Sequence, residues 1–220
     1  MKKRTVSVFL FLAALSAVFV LTACGETDYY SFVSDERSDL FCAQTEDFSV
    51  VVSCVDREHP FLTDGVASTR AKTIEIVLTE TQPTGAEYEV YILEDVPRGG
   101  EMSFRNVSAD YYYSRGVEKF PQGTVSLRII SGDKTVELAA TSVKNEKTLT
   151  TRQALDYAVA AEKDAIAKMS ADGFSGEFHV RLLRRDKNYY YVGIVDTRGG
   201  TISLLLDSET GEVLARRENP

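Results

Sequence analysis

From residue 40 to residue 144 the chain is a succession of short runs in which apolar and polar residues alternate. Residues 48–55 are rich in Val. In 72–80, Ile74, Ile76 and Leu78 share one parity, and in 87–94, Tyr88, Val90 and Ile92 do the same. Val125, Leu127 and Ile129 repeat the pattern in 123–131, and Val136 and Leu138 repeat it in 133–141. A period of two marks strands with one buried face. Turn residues separate the runs: Pro83-Thr84-Gly85, Pro97-Arg98-Gly99-Gly100, Pro121-Gln122-Gly123 and Ser131-Gly132-Asp133. Six or seven short strands without a convincing helix predict an antiparallel β-sandwich over residues 40–146. With no Trp in the chain, the likeness is to the broad immunoglobulin-like (Ig-like) architecture only.

The period changes at Thr148. Thr150 and Gln153 have capping-box spacing, and 154–169 is rich in Ala, Lys and Glu, with Leu155, Val159, Ile166 and Met169 on one stripe. Gly173 lies where a helix stop is expected. Alternation then returns at Phe178-Val180-Leu182, Tyr190-Val192-Ile194 and Ile202-Leu204-Leu206, with a short fourth run at Val213-Leu214. The connections suit hairpins, so the expectation over 147–220 is one helix on a small antiparallel sheet, an α+β unit. The fold class expected for the whole is mainly β.

The first residues break both patterns. Lys2, Lys3 and Arg4 precede an uncharged, mostly apolar run over 6–21, which is shorter than the roughly 20 residues of a membrane span. Small residues follow, in the order of a secretory signal. Leu21-Thr22-Ala23-Cys24 resembles the bacterial lipobox, which implies a lipoprotein signal peptide over 1–23, lipidation of Cys24 and an extracytoplasmic place on the cell membrane. Two or more acyl chains anchor stably where one is marginal. Residues 24–39 are polar and acidic and read as a tether, interrupted by Tyr29, Tyr30 and Phe32.

Without the three leading bases, 22 basic residues face 33 acidic ones, a formal charge of −11. Such a surface repels phosphate backbones and anionic headgroups, which argues against nucleic acid as a partner and leaves attachment to the lipid on Cys24. Cys42 and Cys54 sit in a disulfide-permissive compartment if the chain is exported, and a bond between them is one reading. Two buried thiols are the other. No Cys-x-x-Cys is present. His59 stands among acids before Pro60 and reads as an exposed turn, and His179 alternates away from Phe178 and Val180 toward solvent. No nucleophile motif, phosphate loop or metal-ligand spacing is found, so neither catalytic residues nor a cofactor are expected. The triplets at 111–113 and 189–191 are tyrosines throughout. Alternation turns at least one ring of each outward, which makes Tyr111 and Tyr113 candidates for recognising an envelope protein or glycan. Good strand formers is the competing reading.

Residues 148–220 resemble a PepSY domain. The likeness rests on the helix start Leu149-Thr150-Thr151-Arg152-Gln153-Ala154-Leu155 and on the strands at 189–196 and 201–206. Its best part is the ending Asp207-Ser208-Glu209-Thr210-Gly211-Glu212-Val213-Leu214. The helix is longer than usual for that family, and 193–196 departs from its more acidic strand. The resemblance implies a non-catalytic, surface-attached module, in some cases one that restrains peptidases. Two expectations follow: a tethered binding protein, or a modulator of an extracytoplasmic peptidase.

Overall fold

The computed structural model describes residues 27–59, 69–94, 97–170 and 173–219. Residues 1–23, expected to be a signal peptide, and Cys24, the expected lipidation site, lie outside them. The chain divides into two compact units, Met1–Ser31 and Phe32–Pro220. In the first, the described residues form the start of a 3-10 turn, in which the Ser31 hydroxyl donates to the Asp28 carbonyl at 2.7 Å.

The second unit is mainly β. Its strands are β1 (Val33–Gln44), β2 (Phe48–His59), β3 (Thr69–Glu80), β4 (Glu89–Ile92), β5 (Arg98–Glu101), β6 (Ser103–Arg105), β7 (Asp110–Gly116), β8 (Thr124–Ser131) and β9 (Lys134–Ser142). Helices α1 (Thr151–Ala161) and α2 (Lys163–Met169) follow, then β10 (Glu177–Arg184), β11 (Asn188–Val195), β12 (Thr201–Asp207) and β13 (Val213–Asn219). All the described strands join one nearly barrel-shaped sheet. Its main path runs β13-β12-β11-β10-β1-β2-β3-β7-β6, and a branch leaves β1 through β9, β8 and β4 to β5.

The alternating runs bury as their parity predicts. Val50, Val52, Ile74, Ile76, Leu78, Tyr88, Val90, Ile92, Leu127 and Ile129 meet in one apolar cluster. A second set of buried residues lies where α1 covers β10, β11 and β12: Ala154, Leu155, Ala158, Val180, Leu182, Tyr190 and Val192. The capping box at Thr150 and Gln153 is formed. The expected single helix is broken at Glu162, whose carboxylate is bound by Arg216 of β13 at 2.7 Å. Glu162 has φ −108° and ψ 28°, outside helical geometry.

Two expectations need correction here. Residues 33–39, read as tether, are the first part of β1 and sit inside the sheet, paired with β2 and in parallel with β10. Acidic residues concealed the strand, because Asp35 and Glu36 are matched by cations across the sheet rather than by water. Pro97-Arg98-Gly99-Gly100, read as a turn, leads into β5. Gly99 is required there because a Cβ would stand 1.8 Å from the Val90 carbonyl oxygen of β4.

Beside the two apolar sets runs an ionic seam. Asp35, with its side chain 1% exposed, accepts from Arg57 at 3.0 Å and from Arg181 at 2.6 Å. Glu75 lies 3.5 Å from Arg57 and 3.6 Å from Arg37. Burial would raise Asp35, but the two guanidiniums outweigh it and hold the carboxyl below its ordinary range. On the other face of β1, Glu36 meets Arg70, which also binds Asp56 at 2.8 Å and the Val33 carbonyl at 2.9 Å.

Candidate functional site

The candidate site is built around the end of β3. Glu80 accepts hydrogen bonds from the Thr84 hydroxyl, the Thr84 amide at 3.2 Å and the Tyr88 hydroxyl at 2.9 Å, and the Tyr111 hydroxyl reaches it at 3.5 Å. The turn Pro83-Thr84-Gly85, with Gly85 at φ +69°, folds back so that Thr84 can reach the strand it has just left. Burial pushes Glu80 up, yet the bonds from Thr84, Tyr88 and Tyr111 keep it below its ordinary value. Burial first, and then the bond to Glu80, pushes Tyr88 up to about 12. Tyr111 is raised by burial and by the charge of Glu80. The carboxylate is therefore ionised, its oxygens already occupied, and it has no proton to donate near neutrality.

On one side of Glu80 opens a cleft of about 430 Å³. Pro83, Met102, Phe104 and Tyr111 supply its apolar surface, and Glu80, Glu87 and Glu101 its charge. Tyr111 packs edge-on against Tyr88, ring centroids 4.7 Å apart, and in a tilted contact against Phe104 at 5.0 Å. Phe104 is 51% exposed, and Val107, in the turn between β6 and β7, is fully exposed. Ala109 in the same turn has φ +53°, a left-handed conformation that costs a residue bearing a Cβ about 1 kcal/mol or more. β6 ends the path of the sheet and pairs only with β7 among the described residues. On the other side of Glu80 is a second cleft, about 740 Å³, where Glu46, Asp47 and Asp133 face one Lys134.

The residues singled out from sequence fall unevenly. Tyr111 lines the first cleft but is only 4% exposed, so the expected outward ring is absent. Tyr113 is half-buried against the apolar cluster and does not line that cleft. β7 lies between β3 and β6, and its odd positions face the core, which explains both. Tyr112 and the triplet at 189–191 are also buried or half-buried. Cys42 and Cys54 are free thiols rather than a disulfide. Cys54 stands opposite Asp39 and belongs to the apolar cluster, whereas Cys42 stands opposite Val51 on the other parity of β1 from Phe41. The two side chains therefore leave opposite faces of the sheet, and loop length alone could not reveal that. Burial pushes Cys54 up to about 12.

His179 does alternate away from Phe178 and Val180, but it is half-buried beside Glu177 at 3.1 Å rather than facing solvent. The side chain of His59 lies outside the described residues. Among the described residues no three His, Cys, Asp or Glu side chains are placed to hold a metal ion. Sequence reasoning missed Phe104, Val107 and Glu80. The available signal was the lone Val inside Arg105-Asn106-Val107-Ser108, an apolar residue at the centre of a polar turn.

Compared with known proteins, the chain matches no family model, no curated protein and no solved structure. No helix among the described residues is long and apolar enough to cross a membrane.

Proposed function

We propose that the protein is a lipid-anchored extracytoplasmic lipoprotein whose folded part is a non-catalytic binding module. The observation that carries the binding reading is the cleft at Tyr111. Apolar side chains stand exposed there beside a sheet end and a strained turn, a combination that stability alone does not favour. The lipobox-like Leu21-Thr22-Ala23-Cys24 supports the anchor, and the acidic composition leaves membrane affinity to the lipid. In this reading residues 40–146 form an Ig-like sandwich and residues 147–220 a PepSY-like α+β module.

A second reading, modulation of an extracytoplasmic peptidase through that module, draws support from its closing hairpin. Asp207 accepts from the amides of Glu209 at 2.9 Å and Thr210 at 3.1 Å, and Gly211 adopts φ +74°, as the Asp-x-x-Thr-Gly pattern anticipates.

Two measurements on intact cells test the proposal. Cys24→Ala should move the protein from the membrane to the soluble fraction, and unchanged retention would refute the anchor. A photo-crosslinker placed at Val107 should capture a defined envelope component. Its absence would remove the cleft as a binding site, and capture of a peptidase through residues 147–220 instead would favour the second reading.

A further inference from the structure

Resting on the binding reading above, we infer that the cleft at Tyr111 takes an extended polypeptide segment carrying Lys or Arg beside apolar residues. Three features of the cleft select that occupant. Its rim is acidic, and Arg105, the neighbouring cation, is committed to Asp110 by bonds of 2.6 and 2.8 Å while lying over the Tyr112 ring. Glu87 and Glu101 are exposed and make no ion pair among the described residues, so their field acts on whatever enters. A cationic side chain is attracted and an acidic or phosphorylated one is repelled.

The floor favours a peptide over a glycan, because it offers one open ring rather than a stacking platform. Sugars are held largely by stacking on an open aromatic face. Tyr111 has none to offer, since Tyr88 and Phe104 pack on it and it is 4% exposed. The open ring is Phe104 alone, set beside Met102 and Pro83 in a small apolar surface that suits aliphatic side chains, and stacking of a sugar on that one ring is the alternative the chitotetraose probe tests. The third feature is β6 itself. A strand hydrogen-bonded on one edge can accept a further strand, and alternate side chains of that strand would meet Phe104 and the glutamates. β6 is only three residues long, so the backbone contribution is small and the side chains must carry most of the binding.

The test uses the full mature chain in detergent, with fluorescence-labelled peptides Lys-Val-Lys-Ile-Lys-Val and Glu-Val-Glu-Ile-Glu-Val, and chitotetraose as the glycan. The basic peptide should bind at least tenfold more tightly than the acidic one, and the difference should shrink as salt rises. Phe104→Ala should weaken it at least fivefold. Glu87→Gln combined with Glu101→Gln should remove most of the preference for Lys while leaving Phe104 dependence intact. These positions are exposed, so the variants keep the fold, which circular dichroism checks. Equal binding of both peptides, or binding insensitive to Phe104, overturns the inference. Phe104-dependent binding of chitotetraose alone overturns it too, yet leaves the cleft a binding site. No binding by any probe, together with no crosslink from Val107, brings down both readings.

Discussion

At the scale of single residues, Asp35 carries the most consequence. It is a buried carboxylate shared by Arg57 and Arg181, with Arg37 close by. Removing it leaves cations with no counter-charge in a poorly hydrated seam, and breaking such a pair costs about 3–5 kcal/mol. Asp35→Ala should lower unfolding free energy by that order in urea titration, and a loss below 1 kcal/mol would show that water already screens the seam. The pH dependence has a definite sign. The folded state holds Asp35 below its ordinary value of 3.8, so its stabilisation is complete above that value and is lost as pH falls through the still lower folded one. The acid limb of the stability curve should therefore flatten in Asp35→Ala below about pH 4. None of this was legible in sequence, where Asp35 looks like one more acid in an acidic run. What hides it is pairing across distant strands: its partners are 22 and 146 residues away.

At the scale of elements, period-two alternation was enough to find β3, β4, β8, β9, β10, β11 and β12, because one face of each is more buried than the other. β2 showed by its Val-rich composition, and β13, exposed at every residue, only by the apolar pair Val213-Leu214. The capping box located the start of α1 for the same kind of local reason. β1, β5 and β6 escaped. β1 has charged residues on both faces, and β5 and β6 are too short to show a period. The closing hairpin after β12 is where local chemistry can be tested most directly. Gly211 has φ +74°, and a Cβ there would stand 2.4 Å from the Tyr157 ring. Tyr157 is 47% exposed and can swing away, so backbone conformation is the larger cost. Gly211→Ala should destabilise by about 1–2 kcal/mol. Gly211→Asn, which adds the same Cβ but tolerates the left-handed region, should cost distinctly less. Equal losses in thermal melts of the two variants would assign the effect to the ring contact instead.

At the scale of the whole molecule, the parallel pairing of β1 with β10 matters most. Val33–Arg37 lies against Phe178–Arg181, so the sheet runs without interruption across residues 146 and 147, where the sequence changes period. The linker is held as well: Asn188 donates to the Val143 carbonyl at 2.6 Å, and the Tyr190 hydroxyl donates to the Leu149 carbonyl at 2.7 Å. Two apolar sets that share a central strand and an ionic seam should lose structure together. Phe32–Pro220 should therefore unfold in one transition, with fluorescence and far-ultraviolet circular dichroism coincident. Ending the chain after Glu146 would strip one edge of β1 and take Arg181 away from Asp35, so that shortened chain should be less stable by several kcal/mol. Its β1 amides should lose hydrogen-exchange protection while those of β8 keep it, since among the described residues β8 is paired with β4 and β9 alone. Two separated transitions in the full chain, with β1 equally protected in the shortened one, would mean that the seam joins the two halves without coupling them.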